Sequence, residues 1–227
     1  MSDPPNLDAA LEMLRTDQPR SLDEAAATLV RSGKPAVPAL LELLRAGGSA
    51  DTQARVLFIL SEIADSRASA AFETALESAD ARARAYAARG LFRLRHPAAL
   101  EALVKTLDDA PDELHGDRTP SVDALGEMGS RAVPSLLSLL DEPNEPTRMH
   151  AQRALEAIVN RRFGFKPGRG FPSAEAGRRA GSAWAEHGDY NFAAPPASRR
   201  DAMAKLRAWF KSAPGEFHAD DAASDGT

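Results

Sequence analysis

The chain has 227 residues, a net charge of −5, 43% hydrophobic residues, 6% aromatic residues and no cysteine. Disulfides and thiolate chemistry are therefore excluded, and an apolar set dominated by Ala and Leu favours close-packed helices over strands, which want β-branched and aromatic side chains. No basic leader followed by an apolar run opens the sequence and no stretch has the length to span a bilayer, so the expected setting is cytoplasmic, with no membrane partner. Charge is unevenly spread. Residues 1–144 hold 15 Lys/Arg against 23 Asp/Glu, residues 145–212 hold 13 against 6, and residues 213–227 hold none against 4. An acidic body, a basic segment and an acidic tail follow one another.

In chain order, residues 1–6 read as a disordered tail. A partial helical pair is predicted at 7–15 and 21–32. A repeat then becomes visible: Leu29 to Leu44, containing Gly33, Ala36-Val37-Pro38 and Leu40-Leu41, recurs 96 positions later from Leu125 to Leu140, with Gly129, Ala132-Val133-Pro134 and Leu136-Leu137. That offset is three units of 32, and weaker copies lie between, at Ala68–Leu76 and Ala99–Leu107. Each unit reads as two helices. The first carries an apolar stripe and, at Pro38 and Pro134, a proline in its opening turn, where a missing N–H is harmless. The second is longer, with the clearest copies at about 50–64, 80–95 and 145–160. Asp51, Asp80 and Asn144 are the expected N-caps, with Arg55, Arg84 and Arg148 four residues beyond as a structural ladder. Gly33 and Gly129 are expected to close second helices in a left-handed conformation. A long connection, 108–120, interrupts the pattern, and the following helix puts Ser121 where an Arg is expected.

No single pair buries both stripes, so the pairs must stack. The Ala-Val-Pro first helices, Ala-rich second helices and Asp-x-x-x-Arg spacing resemble the bacterial HEAT-repeat family, and the short units are most similar to its phycobilisome-lyase-like subclass. The resemblance implies an all-α fold: an α-solenoid of about five helical hairpins over 7–160. In such solenoids the second helices line a concave binding surface.

Beyond residue 160 the material changes. Nine of the thirteen aromatic residues fall between Phe163 and Phe217. A loop from Phe163 to Pro172, rich in Gly and Pro, precedes two helices predicted at Ser173–His187 and Ser198–Ser212, with Ser at each N-cap. Residues 161–212 are thus expected to form an aromatic, basic helical cap, and 213–227 an acidic disordered tail. Trp184 and Trp209 are expected to lock the cap.

Candidate sites are few. Arg82, Tyr86, Arg89 and Arg93 recur at helical spacing and share one face, where they could contact an acidic partner or simply pair with acids such as Glu62 and Asp65. Arg161, Arg162 and Arg169, with Lys166 and Arg178-Arg179 among Phe residues, could grip a protein or the phosphates of nucleic acid. The fold accommodates the latter in HEAT-type DNA glycosylases, but the acidic body opposes a polyanion. The histidines lack metal-ligand spacing, and the His-Glu dipeptides of HEAT-fold deoxyhypusine hydroxylases are missing. The Asp-rich connection lacks a calcium-loop register, and no nucleophile elbow or phosphate loop is present. No metal, cofactor or catalytic residue is predicted. The expected function is that of a non-enzymatic protein-interaction scaffold. Nucleic-acid binding is one alternative, and a subunit of a bilin-lyase-like enzyme, invited by the repeat class, is a second.

Overall fold

A computed structural model describes residues 7–16, 22–212 and 217. The expected tails, 1–6 and 213–227, lie outside the described residues except for Phe217. The fold is all-α, and among the described residues the only strand-like pairing is an isolated bridge between Lys166 and Gly170. Two compact units divide after Ala110, inside the long connection that interrupts the repeat.

In the first unit, α1 (Leu7–Arg15) pairs with α2 (Leu22–Ser32), α3 (Val37–Ala46) with α4 (Ala50–Ile63), and α5 (Ser69–Ala75) with α6 (Ala81–Arg93), while α7 (Ala99–Lys105) packs on α6. The second helices α2, α4 and α6 stack in sequence order. The most extensive packing joins α4 and α6, and its chemistry is asymmetric. The buried residues of α4 include Val56, Leu57, Ile59 and Leu60, whereas those of α6 are Ala83, Ala85, Ala87, Ala88, Gly90 and Leu91. Each buried large aliphatic side chain is worth about 1.5–3 kcal/mol, and the alanines let the backbones approach closely. Gly90 extends that logic: a Cβ there would overlap the ring of buried Phe72 from α5.

In the second unit, α8 (Pro120–Met128), α9 (Val133–Leu139) and α10 (Glu145–Arg162) form the repeat portion, with α10 packed on both α8 and α9. Helix α11 (Ala174–Glu186) packs on α10, and α12 (Pro196–Ser212) contacts α9. Three ties fasten these C-terminal helices. The buried Tyr190 hydroxyl donates to the Leu140 carbonyl. Arg148 Nε donates to the Phe192 carbonyl at 3.1 Å, and the Phe192 N–H donates to Gln152 Oε1 at 2.9 Å. The Ser130 N–H donates to the Phe217 carbonyl at 2.7 Å, so Phe217, assigned by sequence to the disordered tail, is instead packed and 2% exposed.

Several boundaries differ from the sequence expectation for local reasons. Helix α4 is capped by Ser49, whose Oγ accepts the Thr52 N–H, and not by Asp51. Asp80 caps α6 as expected, while Asn144 precedes α10 without a side-chain capping bond. Helix α12 starts at Pro196, with the Arg199 N–H donating to the Pro195 carbonyl, so Ser198 lies inside the helix; a proline in the opening turn suits a helix start as well as a serine cap does. Gly33 and Gly129 adopt φ +63° and +69° with ψ −139°, a region open essentially to glycine alone.

The true caps reveal a recurrent clasp. The residue four positions beyond each cap is Gln53, Arg84, Asp123 and Arg148. Gln53 donates to the Gly48 carbonyl, Arg84 to those of Ser78 and Ala79, and Arg148 to those of Glu142 and Pro143. Each side chain thus ties down the turn that leads into its own helix. Arg84 also reaches Asp109 and Arg148 reaches Phe192. Arg55, expected to belong to this set, sits six beyond Ser49 and pairs instead with exposed Asp23. Ser121 is not the register position either; Asp123 is, and because it cannot donate it accepts from Arg118 at 2.8 Å.

Candidate functional site

The expected row Arg82, Tyr86, Arg89 and Arg93 does lie on one side of α6, turned toward α4. Arg82 Nη2 is 2.6 Å from Asp51 and 2.9 Å from Asp80. Arg89 Nη2 pairs with Glu62 at 2.5 Å, and its guanidinium carbon stands 6.0 Å from the centre of the Phe58 ring. Tyr86 meets the same ring edge-on at 5.3 Å, and Arg93 donates to the Glu62 carbonyl at 3.3 Å. Arg82 and Arg89 are therefore matched by Asp51, Asp80 and Glu62, while Arg93 meets a backbone carbonyl. Hydrogen bonding to Arg82 holds the Asp80 carboxyl below its ordinary range, and Asp80 in turn holds the Arg82 guanidinium charged. Such a row ties two repeats together but exerts little net pull on an acidic chain. Asp65, a second expected partner, is elsewhere: it grips Arg67 through both oxygens and caps the turn at 66–68. Those bonds from Arg67 lower its pKa to about 2.

The basic residues of the second unit are distributed differently. Arg161 pairs with Glu127 at 3.5 Å, and Arg169 is exposed in the tight turn that bridges Lys166 and Gly170. Arg162 sits in an aromatic box, 5.4 Å from the centre of Phe163, 5.9 Å from Trp209 and 5.2 Å from Phe217. Guanidinium groups over ring faces are attracted by the ring quadrupole, by about 0.5–2 kcal/mol each. His187 stacks on Trp209 at 4.1 Å, and its Nδ1 lies 2.7 Å from the Ala183 carbonyl.

Beside this box opens a cleft of about 780 Å³ lined by α11 and α12, with Arg162, Arg178, Arg179, His187 and Trp209 on its walls. Glu175 and Glu186 line it as well. Arg178 and Arg179 are exposed and have no ion-pair partner among the described residues; Arg179 lies 5.6 Å from the Phe163 ring centre. Sequence reasoning singled out Arg162 but missed the stacking of His187 on Trp209 and the anchoring of Phe217. Helical spacing within α11 could have placed Arg178, Ser182 and Glu186 on one wall, whereas the long-range contacts had no sequence signal.

Among the described residues, no group of three His, Asp or Glu is arranged to hold a metal ion. The Asp-rich connection has its carboxylates engaged within the protein: Asp112 accepts the Leu114 and His115 N–H groups, Asp109 pairs with Arg84 and Asp117 with Arg153. No helix of the described residues is long and apolar enough to cross a membrane.

Stacked helical hairpins, three of them clasped at the turn into the second helix, define a helical-repeat protein. The repeats are of the HEAT type: the HEAT-repeat family matches residues 37–115, and the PBS lyase HEAT-like repeat matches residues 121–142. These two stretches are thus similar to HEAT repeats, the second to the PBS lyase HEAT-like repeat. A stretch of 93 residues is 38% identical to phycocyanobilin lyase subunit alpha of Nostoc sp., covering 38% of this chain and 34% of that protein, so the chain spans about a third of the relative's length. Among solved structures, a computationally designed armadillo repeat protein for modular peptide recognition aligns over 89% of this chain and 99% of its own, at 18% identity and a TM-score of 0.36, a likeness too distant to argue from.

Proposed function

We propose that the protein is a non-catalytic scaffold that binds another protein through an acidic segment, and that the binding surface is the cleft of the C-terminal helices. One observation carries this reading. Arg82 and Arg89 of α6 are matched by carboxylates, whereas Arg178 and Arg179 line an open cleft with no ion-pair partner among the described residues. Arginine's fixed fork of donors suits carboxylates, and the neighbouring rings supply residue types that dominate binding hot spots. Arg161 and Arg169 contribute outer positive charge, and the reading keeps the cytoplasmic setting expected from the sequence. The test is fluorescence polarisation with a labelled ten-residue Asp/Glu peptide against an uncharged control. The acidic peptide should bind at least tenfold more tightly, and the R178E/R179E double variant should abolish the difference while R89E/R93E leaves it intact. Equal binding of both peptides would overturn the reading, and tighter, steeply salt-dependent binding of a generic oligonucleotide would replace it with nucleic-acid recognition.

The relationship to a phycocyanobilin lyase subunit supports a second reading, in which the chain is one subunit of a bilin-handling enzyme. Incubation with phycocyanobilin, followed by gel filtration and visible spectroscopy, separates the two. Co-elution with an altered absorption band favours the lyase-like role; an unchanged spectrum and free pigment remove it.

A further inference from the structure

Phe217 is the one described residue beyond α12, and it is held as a ligand would be. Its ring is 2% exposed, meeting Trp209 edge-on at 5.2 Å and Phe210 at 4.6 Å, with the Arg162 guanidinium 5.2 Å from its centre. Its carbonyl accepts the Ser130 N–H from the turn between α8 and α9. One buried aromatic anchor and one backbone hydrogen bond are a common way for an extended peptide to be recognised. The box also opens directly onto the cleft, because Arg162 and Trp209 belong to both. Contacts of 5.2, 5.4 and 5.6 Å lead from Phe217 through Arg162 and Phe163 to Arg179. An extended chain advances about 3.3 Å per residue. A carboxylate three or four residues beyond an anchored ring is therefore within side-chain reach of Arg179, beside which Arg178 lines the same cleft.

We infer that the box and the cleft together form a peptide-recognition site for an aromatic residue followed at three or four positions by acidic residues, and that Phe217 is its resident intramolecular occupant. The chain's own sequence has this pattern, with Phe217 followed by Asp220 and Asp221. A partner segment of the same chemistry would bind by displacing Phe217. The inference rests on the acidic-partner reading and adds to it the anchor, the spacing and the competition.

The probe is a fluorescein-labelled synthetic peptide with the sequence of residues 214–221, used with the full-length chain and paired with a control peptide in which the position of Phe217 is Ala. F217A, whose box is vacant, should bind the probe at least tenfold more tightly than the unmodified chain does, and the control peptide should lose at least tenfold. Adding R178E/R179E to F217A should weaken binding of the probe. F217L, which keeps most of the apolar volume, is read in the same way if F217A loses its native circular dichroism. Binding to the vacant box no tighter than to the unmodified chain would overturn the inference. Dependence on the ring without dependence on Arg178 and Arg179 would overturn the acidic-partner reading while leaving the aromatic anchor. A concentration-dependent dimer of the unmodified chain that F217A dissolves would assign the box to a second copy of this chain and sink the heterologous partner.

Discussion

Replacing Arg148 by Lys should loosen the C-terminal helices from the repeat on which they pack. Arg148 is 6% exposed and satisfies three carbonyls at once, those of Glu142 and Pro143 at 2.8 Å and that of Phe192 at 3.1 Å. A lysine ammonium keeps the charge but loses the planar fork, so it cannot serve the turn at 142–143 and the loop at 192 together. Leaving one or two of these carbonyls without a donor costs about 1–3 kcal/mol each, and partial rescue by the ammonium brings the expected loss to about 2–4 kcal/mol. The assay is urea denaturation followed by tryptophan fluorescence. Both tryptophans of the chain, Trp184 and Trp209, belong to α11 and α12, so the signal reports this region alone. At a typical slope of about 1–3 kcal/mol per molar, the fluorescence midpoint should fall by about 1–2 M. An unchanged midpoint in R148K would refute the argument that this side chain fastens the C-terminal helices.

Three further outcomes follow from the packing and electrostatics. Gly90→Ala should destabilise the first unit by about 1–3 kcal/mol despite alanine's better helix propensity, because its Cβ would overlap the Phe72 ring; G90A combined with F72L should recover most of the loss in thermal melts. Tyr190→Phe should cost about 1–3 kcal/mol in tryptophan-monitored denaturation, because the Leu140 carbonyl loses its donor in a buried setting. Asp65, held at a pKa of about 2 by Arg67, contributes stability that is fully present above its unfolded value of 3.8 and is lost as pH falls through 2. D65N should accordingly flatten the acid limb of the stability profile between pH 4 and 2 relative to the parent chain, as read by circular dichroism.

The repeat was legible because it is written locally. Apolar spacing, prolines at 38 and 134 and glycines at 33 and 129 each report on a turn or a stripe, and the helices fall close to the places these residues mark. The N-cap of α4 was misplaced by two residues because Ser49 and Asp51 are both good capping residues, and only the observed Thr52 N–H bond chooses between them. That shift hid the clasp, since counting from Asp51 selects Arg55 in place of Gln53. The α6 row was placed on the correct face and Glu62 was among its expected partners, but Asp51 was not, because it lies in the preceding repeat, 31 residues from Arg82, where sequence spacing alone sets no distance. The aromatic box was out of reach for the same reason: Arg162 of α10, Trp209 of α12 and Phe217 meet only through long-range packing, and no local pattern records it.

The clasp also bears on how such a chain can change over evolutionary time. Because Gln53, Arg84 and Arg148 fix the turn that feeds their own helix, a unit carries the means of its own closure within some ten residues. Residues can then be traded between spacer and helix outside that span without unpicking the corner, as where the long stretch from Asp108 to Arg118 is followed by α8, which has 9 residues against 14 in α4. Modularity here resides in the corner and tolerates variation in the spacer.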